Sequence, residues 1–162
     1  MTLQRLYTIG VYGFTADSFV SALRSARVDV LVDVRQRRGV RGSRHSFANA
    51  AKLDAMLGDV GIASLQWKDL APSTELRQLQ KSADSAVGTT KSVRAELASE
   101  FVDGYRQEVL SSVDPDELLE RLDGYERPAF LCVERAAMAC HRGLLARFLA
   151  EASGLEVVDL EP

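Results

Sequence analysis

Ala129-Phe130-Leu131-Cys132-Val133-Glu134-Arg135-Ala136-Ala137-Met138-Ala139-Cys140-His141-Arg142 is the stretch on which the fold of this chain turns. Its first five residues follow Pro128 as a short apolar run, the pattern of a strand buried on both faces of a parallel sheet. Behind it, His141, Leu145, Phe148 and Ala152 recur at three- and four-residue spacing up to Gly154, the pattern of a helix stopped by glycine. A strand feeding a helix is the repeating unit of an open α/β sheet. That unit puts Cys132, Glu134 and Arg135 in the connecting turn and Cys140, His141 and Arg142 in the opening of the helix. Two thiols, a carboxylate, an imidazole and a guanidinium fall within eleven residues, at the sheet edge where such folds bind ligands.

Working outward, Val28 to Val34 is nearly continuous in β-branched residues and reads as a central parallel strand. Arg5–Gly10, Ile62–Trp67 and Leu155–Leu160 read as further strands. Thr15 or Asp17 caps a helix to about Arg24 with Phe19, Val20 and Leu23 inward. Phe47 to Leu57 is a helix stopped by Gly58, and Asp114-Pro115 opens one that runs to Leu122. Val93, Leu97, Phe101, Tyr105 and Val109 predict a helix over Val93–Leu110, which carries Gly104 at a cost of about 1 kcal/mol against alanine. Pro72-Ser73-Thr74-Glu75 is a loop that starts a helix. Lys81 to Lys91, poor in apolar residues, is expected as a mobile surface loop and a candidate lid. The alternation predicts an α/β fold in three layers: a mostly parallel sheet of about five strands with helices on both faces, one domain over residues 1–162.

A chain of 162 residues buries about 70% of its unfolded surface when it folds as one domain. No apolar run approaches the ~20 residues that cross a bilayer, and Met1–Leu6 lacks the apolar core of a signal peptide. The expectation is a cytoplasmic protein with no membrane partner, its two cysteines kept as thiols. A net charge of −3 argues against a protein that coats nucleic acid over its whole surface and leaves room for a local basic patch. Oligomeric state is not fixed by the sequence, and a homo-oligomer stays open.

Such a patch follows the Val28–Val34 strand, where Arg35, Arg37, Arg38, Arg41 and Arg44 fall within ten residues with no acid between them. Gly39 and Gly42 let this loop fold its guanidinium groups toward one point, and arginine forks match phosphate and carboxylate. Asp33, at the end of the buried strand, needs a partner; Arg35 or Arg142 is available, and a catalytic role is the competing reading. Gly10-Val11-Tyr12-Gly13 lacks the third glycine of a dinucleotide fingerprint and reads as a plain tight turn.

Three functions fit these residues. The first is an enzyme on a phosphorylated or nucleotide-like anion: Cys132 or Cys140 as nucleophile, Glu134, Asp33 or His141 as acid or base, and Arg35, Arg38, Arg41, Arg44 and Arg142 holding the anion. The second is a non-catalytic nucleic-acid or nucleotide module that uses the arginine loop on phosphates. The third is a metal or redox module on Cys132, Glu134, Cys140 and His141. Neighbouring Cys140 and His141 point about 100° apart on a helix and no CxxC pair exists, so no metal and no cofactor is assigned. The bland account competes for each residue: Cys132 as a small buried hydrophobe, His141 as a core histidine, Arg142 as a partner of Glu134 or Asp33. Of the two thiols, Cys140 at a helix opening beside Arg142 is expected to ionise more readily, and Cys132 in its apolar strand less.

Tyr7-Thr8-Ile9-Gly10, Asp33-Val34-Arg35, Phe47-Ala48-Asn49 and Cys132-Val133-Glu134 with Cys140-His141-Arg142 together resemble the bacterial family catalogued as domain of unknown function 488. The likeness spans nearly the whole chain, and the Cys-x-Glu…Cys-His-Arg element is its most specific part. It implies an α/β fold with a pocket near that element, and no activity. Many members carry His-Ser or a similar polar pair after the first strand; Val11-Tyr12 stands here, so any role of that histidine has no carrier. Asp-Val-Arg with a later strand-end cysteine is also similar to rhodanese-like sulfurtransferases, but Cys132 and Arg142 lie ten apart with no glycine between them, and the cradle loop of those enzymes is absent.

Overall fold

Five short strands, β1 (Leu6–Ile9), β2 (Val30–Asp33), β3 (Ala63–Gln66), β4 (Pro128–Leu131) and β5 (Val157–Leu160), form one sheet in the order β3-β2-β4-β1-β5. The computed structural model describes residues 2–162. Every pairing is parallel, with Leu31 opposite Ala129 and Ala129 opposite Tyr7 in register. β1, β2 and β4 are buried along their whole length, as their mostly apolar sequences require, with Thr8 and Asp33 the polar exceptions.

Helices α1 (Ala16–Ser25) and α2 (Ala50–Asp59) cover one face; α3 (Thr74–Val87), α4 (Ser99–Glu108), α5 (Pro115–Glu120) and α6 (His141–Ser153) cover the other. Alternation along β4 divides the core. Ala129, Leu131 and Val133 pack with Phe19, Leu23, Leu53 and Leu57, while Phe130 and Cys132 pack with Trp67, Tyr105, Leu145 and Leu149. The layering follows from the handedness of parallel crossovers. β1→β2→β3 steps one way across the sheet and lays α1 and α2 on one face. β3→β4→β5 steps back and lays α3 to α6 on the other. The chain therefore leaves β2 and its neighbour β4 toward opposite faces, which opens a crevice at their carboxyl ends.

Several helix ends follow the sequence closely. Thr15 and Ser18 form a capping box, Ser73 accepts from Leu76 N, Asp114 caps a helix that opens on Pro115, and Gly154 ends α6 in the left-handed region. Three expectations change. Lys81–Val87 is helical, the second half of α3; its inward residue is the polar Asp84, following Gln80 one turn earlier, so no apolar periodicity marks it. The predicted helix over Val93–Leu110 keeps only Ser99–Glu108, because Arg94 to Leu97 are drawn out to bind the loop after β4. Gly58 does not stop α2, which runs on to Asp59. Gly104 has a packing reason: a Cβ there would collide with Leu76, so α4 lies directly against α3.

Candidate active site

The turn after β4 is held by backbone contacts that only glycine permits. Val11 N and Tyr12 N both donate to Val133 O at 3.0 Å, and a Cβ on Gly10 would strike the Glu134 carbonyl. The Gly10–Gly13 turn thus spends these donors on its own chain, and a nucleotide cradle there has none of them left. Beyond the turn, Ala137–Ala139 coils as a short 3-10 segment. Cys140 stands in extended conformation before α6, and His141 and Arg142 open the helix.

These residues share one wall of a cavity of about 590 Å³, within the usual size of small-molecule sites. Cys132, Glu134, Cys140 and His141 line it beside Arg35, Gln36 and Arg37 from the end of β2. Arg77, Gln80, Lys81 and Asp84 of α3 face them, with Thr89–Lys91 and Arg94 completing the enclosure. The Lys81–Lys91 segment does border the cavity, as a lid would, although Lys81–Val87 is helix. The two thiol sulfurs and a Glu134 carboxylate oxygen lie within 4.8 Å of one another. His141 bonds Val34 O at 2.9 Å through Nε2, which fixes the proton on that nitrogen, and its ring is influenced by the Cys132 thiol.

Arg142 and Asp33, both sequence candidates, stay out of the cavity lining. Arg142 is fully buried, donating to Glu134 O at 2.6 Å, Arg135 O at 3.2 Å and Cys140 Sγ at 3.0 Å. It braces the turn from behind and pairs with no carboxylate. Asp33 shares a face with Leu31, toward α2, and takes a two-pronged hydrogen bond from Arg35 at 2.9 and 2.7 Å plus one from Arg38. Arg38 continues to Asp54 at 2.6 Å. The arginine loop thus converges on Asp33 and Asp54 of its own chain instead of an open anion site. Arg41 and Arg44 are exposed and outside the cavity lining. Asn49 pins the loop by accepting from Val40 N at 2.7 Å. What this loop leaves for a ligand is exposed Arg37, which lines the cavity, and Arg35, only 5% exposed, whose Nη1 has no partner among the described residues.

The order of the two thiols is the reverse of the sequence expectation. Cys132 is held well below the usual thiol value by a hydrogen bond from Cys140 and by the His141 imidazole, against the effect of burial. Cys140 is pushed up by burial and by its bond to Cys132, which outweigh Arg142. Burial works against a charge on His141, but the Cys132 thiolate beside it turns the net direction upward. Glu134 is pushed up to about 7 by burial and by the Cys132 charge, although Lys91 and Arg94 oppose this. These directions favour a buried thiolate–imidazolium pair, beside a carboxyl pushed up to about 7.

The profile of the domain of unknown function DUF488 matches residues 15–149. The chain belongs to the DUF488 family. No curated protein and no solved structure matches it. In this DUF488 protein the most consequential side chain that sequence reading missed is Arg94. It donates to Asp84 at 2.9 Å, to Glu134 at 3.0 Å and to Ala139 O at 2.9 Å, joining α3 to the turn after β4. Gln80 supports the same bridge, donating to Asp84 and accepting from Ala98 N. Gln80 and Asp84 stand four residues apart, but only the fold shows that both are buried and so need the cation that arrives there. No helix is long and apolar enough to cross a membrane among the described residues.

Cys132, Glu134 and Cys140 offer enough donor atoms to begin a metal site. Arg94 and Lys91 already lie 3.0 and 3.9 Å from the Glu134 oxygen, and Arg142 lies 3.0 Å from Cys140 Sγ. A dication would enter against three fixed positive charges.

Proposed function

We propose that this DUF488 protein is an enzyme that binds a phosphorylated or nucleotide-like anion in the cavity and attacks it with the Cys132 thiolate. One observation carries the reading: a single cavity sets six cationic side chains (Arg35, Arg37, Arg77, Lys81, Lys91 and Arg94) against only Asp84 and Glu134, and shares that lining with a lowered thiol. Arg35 Nη1 is the buried donor left for an anionic oxygen. His141 takes the thiol proton and stabilises the thiolate. Glu134, at about 7, is poised to protonate a leaving group as the sulfur–substrate bond forms and the substrate–leaving-group bond breaks. Water then releases the transferred group.

The test pairs stability with reactivity. Phosphate should raise the melting temperature beyond chloride at equal ionic strength and slow iodoacetamide labelling of Cys132. Arg37→Ala with Lys91→Ala, both exposed, should weaken both effects. Equal responses to phosphate and chloride would sink the reading. A nucleic-acid module stays in view for one reason: Arg37, Arg41 and Arg44 are exposed and have no ion-pair partner among the described residues. Oligonucleotide binding with a steep salt dependence that Arg41→Ala and Arg44→Ala reduce would favour that module instead.

A further inference from the structure

We propose that Cys132 and Cys140 form a redox dithiol, in which a hydroperoxide oxidises Cys132 and Cys140 then closes it into a reversible disulfide. The proposal rests on the Cys132 thiolate invoked above and is independent of anion binding. Catalysis through Cys132 requires no second thiol, yet Cys140 lies with its sulfur within 4.8 Å, lining the same cavity, and both cysteines are free. They flank the Val133–Ala139 connection, one just after β4 and one just before α6. Closing that gap to the ~2.05 Å of a disulfide asks for movement in that connection and leaves the sheet alone.

The surroundings of Cys140 set the order of events. Burial and the neighbouring Cys132 keep its proton on, while Arg142 Nη1 waits 3.0 Å from its sulfur. Once Cys132 has reacted and lost its negative charge, burial is opposed by that guanidinium without interference from Cys132, and Cys140 is freed to ionise. In the first step the Cys132 thiolate attacks the peroxide O–O bond, forming a sulfenic acid and releasing water after one proton is taken up. In the second, the Cys140 sulfur displaces the sulfenic hydroxyl, forming the S–S bond and a second water. The two thiols lose two electrons and the peroxide gains them; an external dithiol restores the pair. The disulfide removes the nucleophile and so switches the proposed activity off.

The experiment exposes the full chain to hydrogen peroxide and maps peptides without reduction. Wild type should yield a Cys132–Cys140 cross-linked peptide that a dithiol reverses. Cys140→Ser should stop at a Cys132 sulfenic acid that dimedone traps. In Cys132→Ser no intramolecular cross-linked peptide should form. A stable sulfenic acid on Cys132 in wild type, or first oxidation at Cys140, would overturn the proposal, and the wild-type map decides this even if a variant misfolds. A disulfide without any phosphate-specific stabilisation would remove the substrate reading and leave the dithiol standing; the opposite pattern would do the reverse.

Discussion

Replacing Glu134 with glutamine should stabilise the protein at alkaline pH and leave it nearly unchanged in acid. An ordinary glutamate titrates near 4.5, and Glu134, pushed up by burial and the Cys132 charge, titrates at about 7. Because the folded value lies above the unfolded one, protonated Glu134 favours the fold at low pH. That advantage is lost as pH rises from about 4.5 through about 7, and the curve is flat above. At about 1.4 kcal/mol for each pH unit, the loss comes to about 3 kcal/mol. Glutamine keeps the shape, still accepts from Arg94 and still offers Cys132 a donor, but never ionises. Urea unfolding at pH 5, 6, 7 and 8 should therefore show Glu134→Gln gaining up to about 3 kcal/mol over wild type by pH 8 and almost nothing at pH 5. For a chain of this size that is roughly 6–12 °C in melting temperature. A difference that does not depend on pH, or a variant less stable at pH 8, would mean the carboxylate is well paired by Arg94 and the reasoning about burial is wrong.

Arg94→Ala strands Asp84 and Glu134, both buried, and should cost about 3–5 kcal/mol in denaturant unfolding; a loss under about 1 kcal/mol would deny the bridge its structural role. Gly10→Ala, which puts a methyl against the Glu134 carbonyl, should cost about 1–3 kcal/mol and also slow alkylation of Cys132 by displacing the turn. Labelling of wild type by iodoacetamide should reach its plateau well below the ordinary thiol value of about 8.5 for Cys132 and remain slow there for Cys140. The opposite ranking would reverse the assignment of the nucleophile. Stoichiometric zinc at pH 7 should not protect the two cysteines from that labelling, because Arg94, Arg142 and Lys91 already hold the surrounding atoms; protection would point to a metal centre.

The sequence by itself determined the architecture, because the elements are encoded by local chemistry. The short, mostly apolar runs at Leu6–Ile9, Val30–Val32 and Pro128–Val133, too short for helices and bounded by turn residues, mark buried strands. Thr15, Ser73, Asp114-Pro115 and Gly154 mark helix ends through hydrogen bonds and backbone angles within a few residues. The place of Cys132, Glu134, Cys140 and His141 at one strand end was legible for the same reason: all four lie within ten residues of one β–α unit. The tertiary structure alone decided which charges meet. Arg94 reaches Glu134 across forty residues, and nothing in the helical spacing of Val93–Leu110 announced that its first turns would be given up to that bridge. The helical Lys81–Val87 read as loop because periodicity counts apolar residues, whereas its inward Asp84 is buried against a guanidinium. Only the fold showed that Asp33 and Asp54 take up Arg38 and two of the three donor nitrogens of Arg35. The ranking of the two thiols inverted because helix position and strand burial are local facts, while the proton on each sulfur is set by what the fold brings within a few ångströms: His141 and Cys140 for Cys132, burial and Cys132 for Cys140.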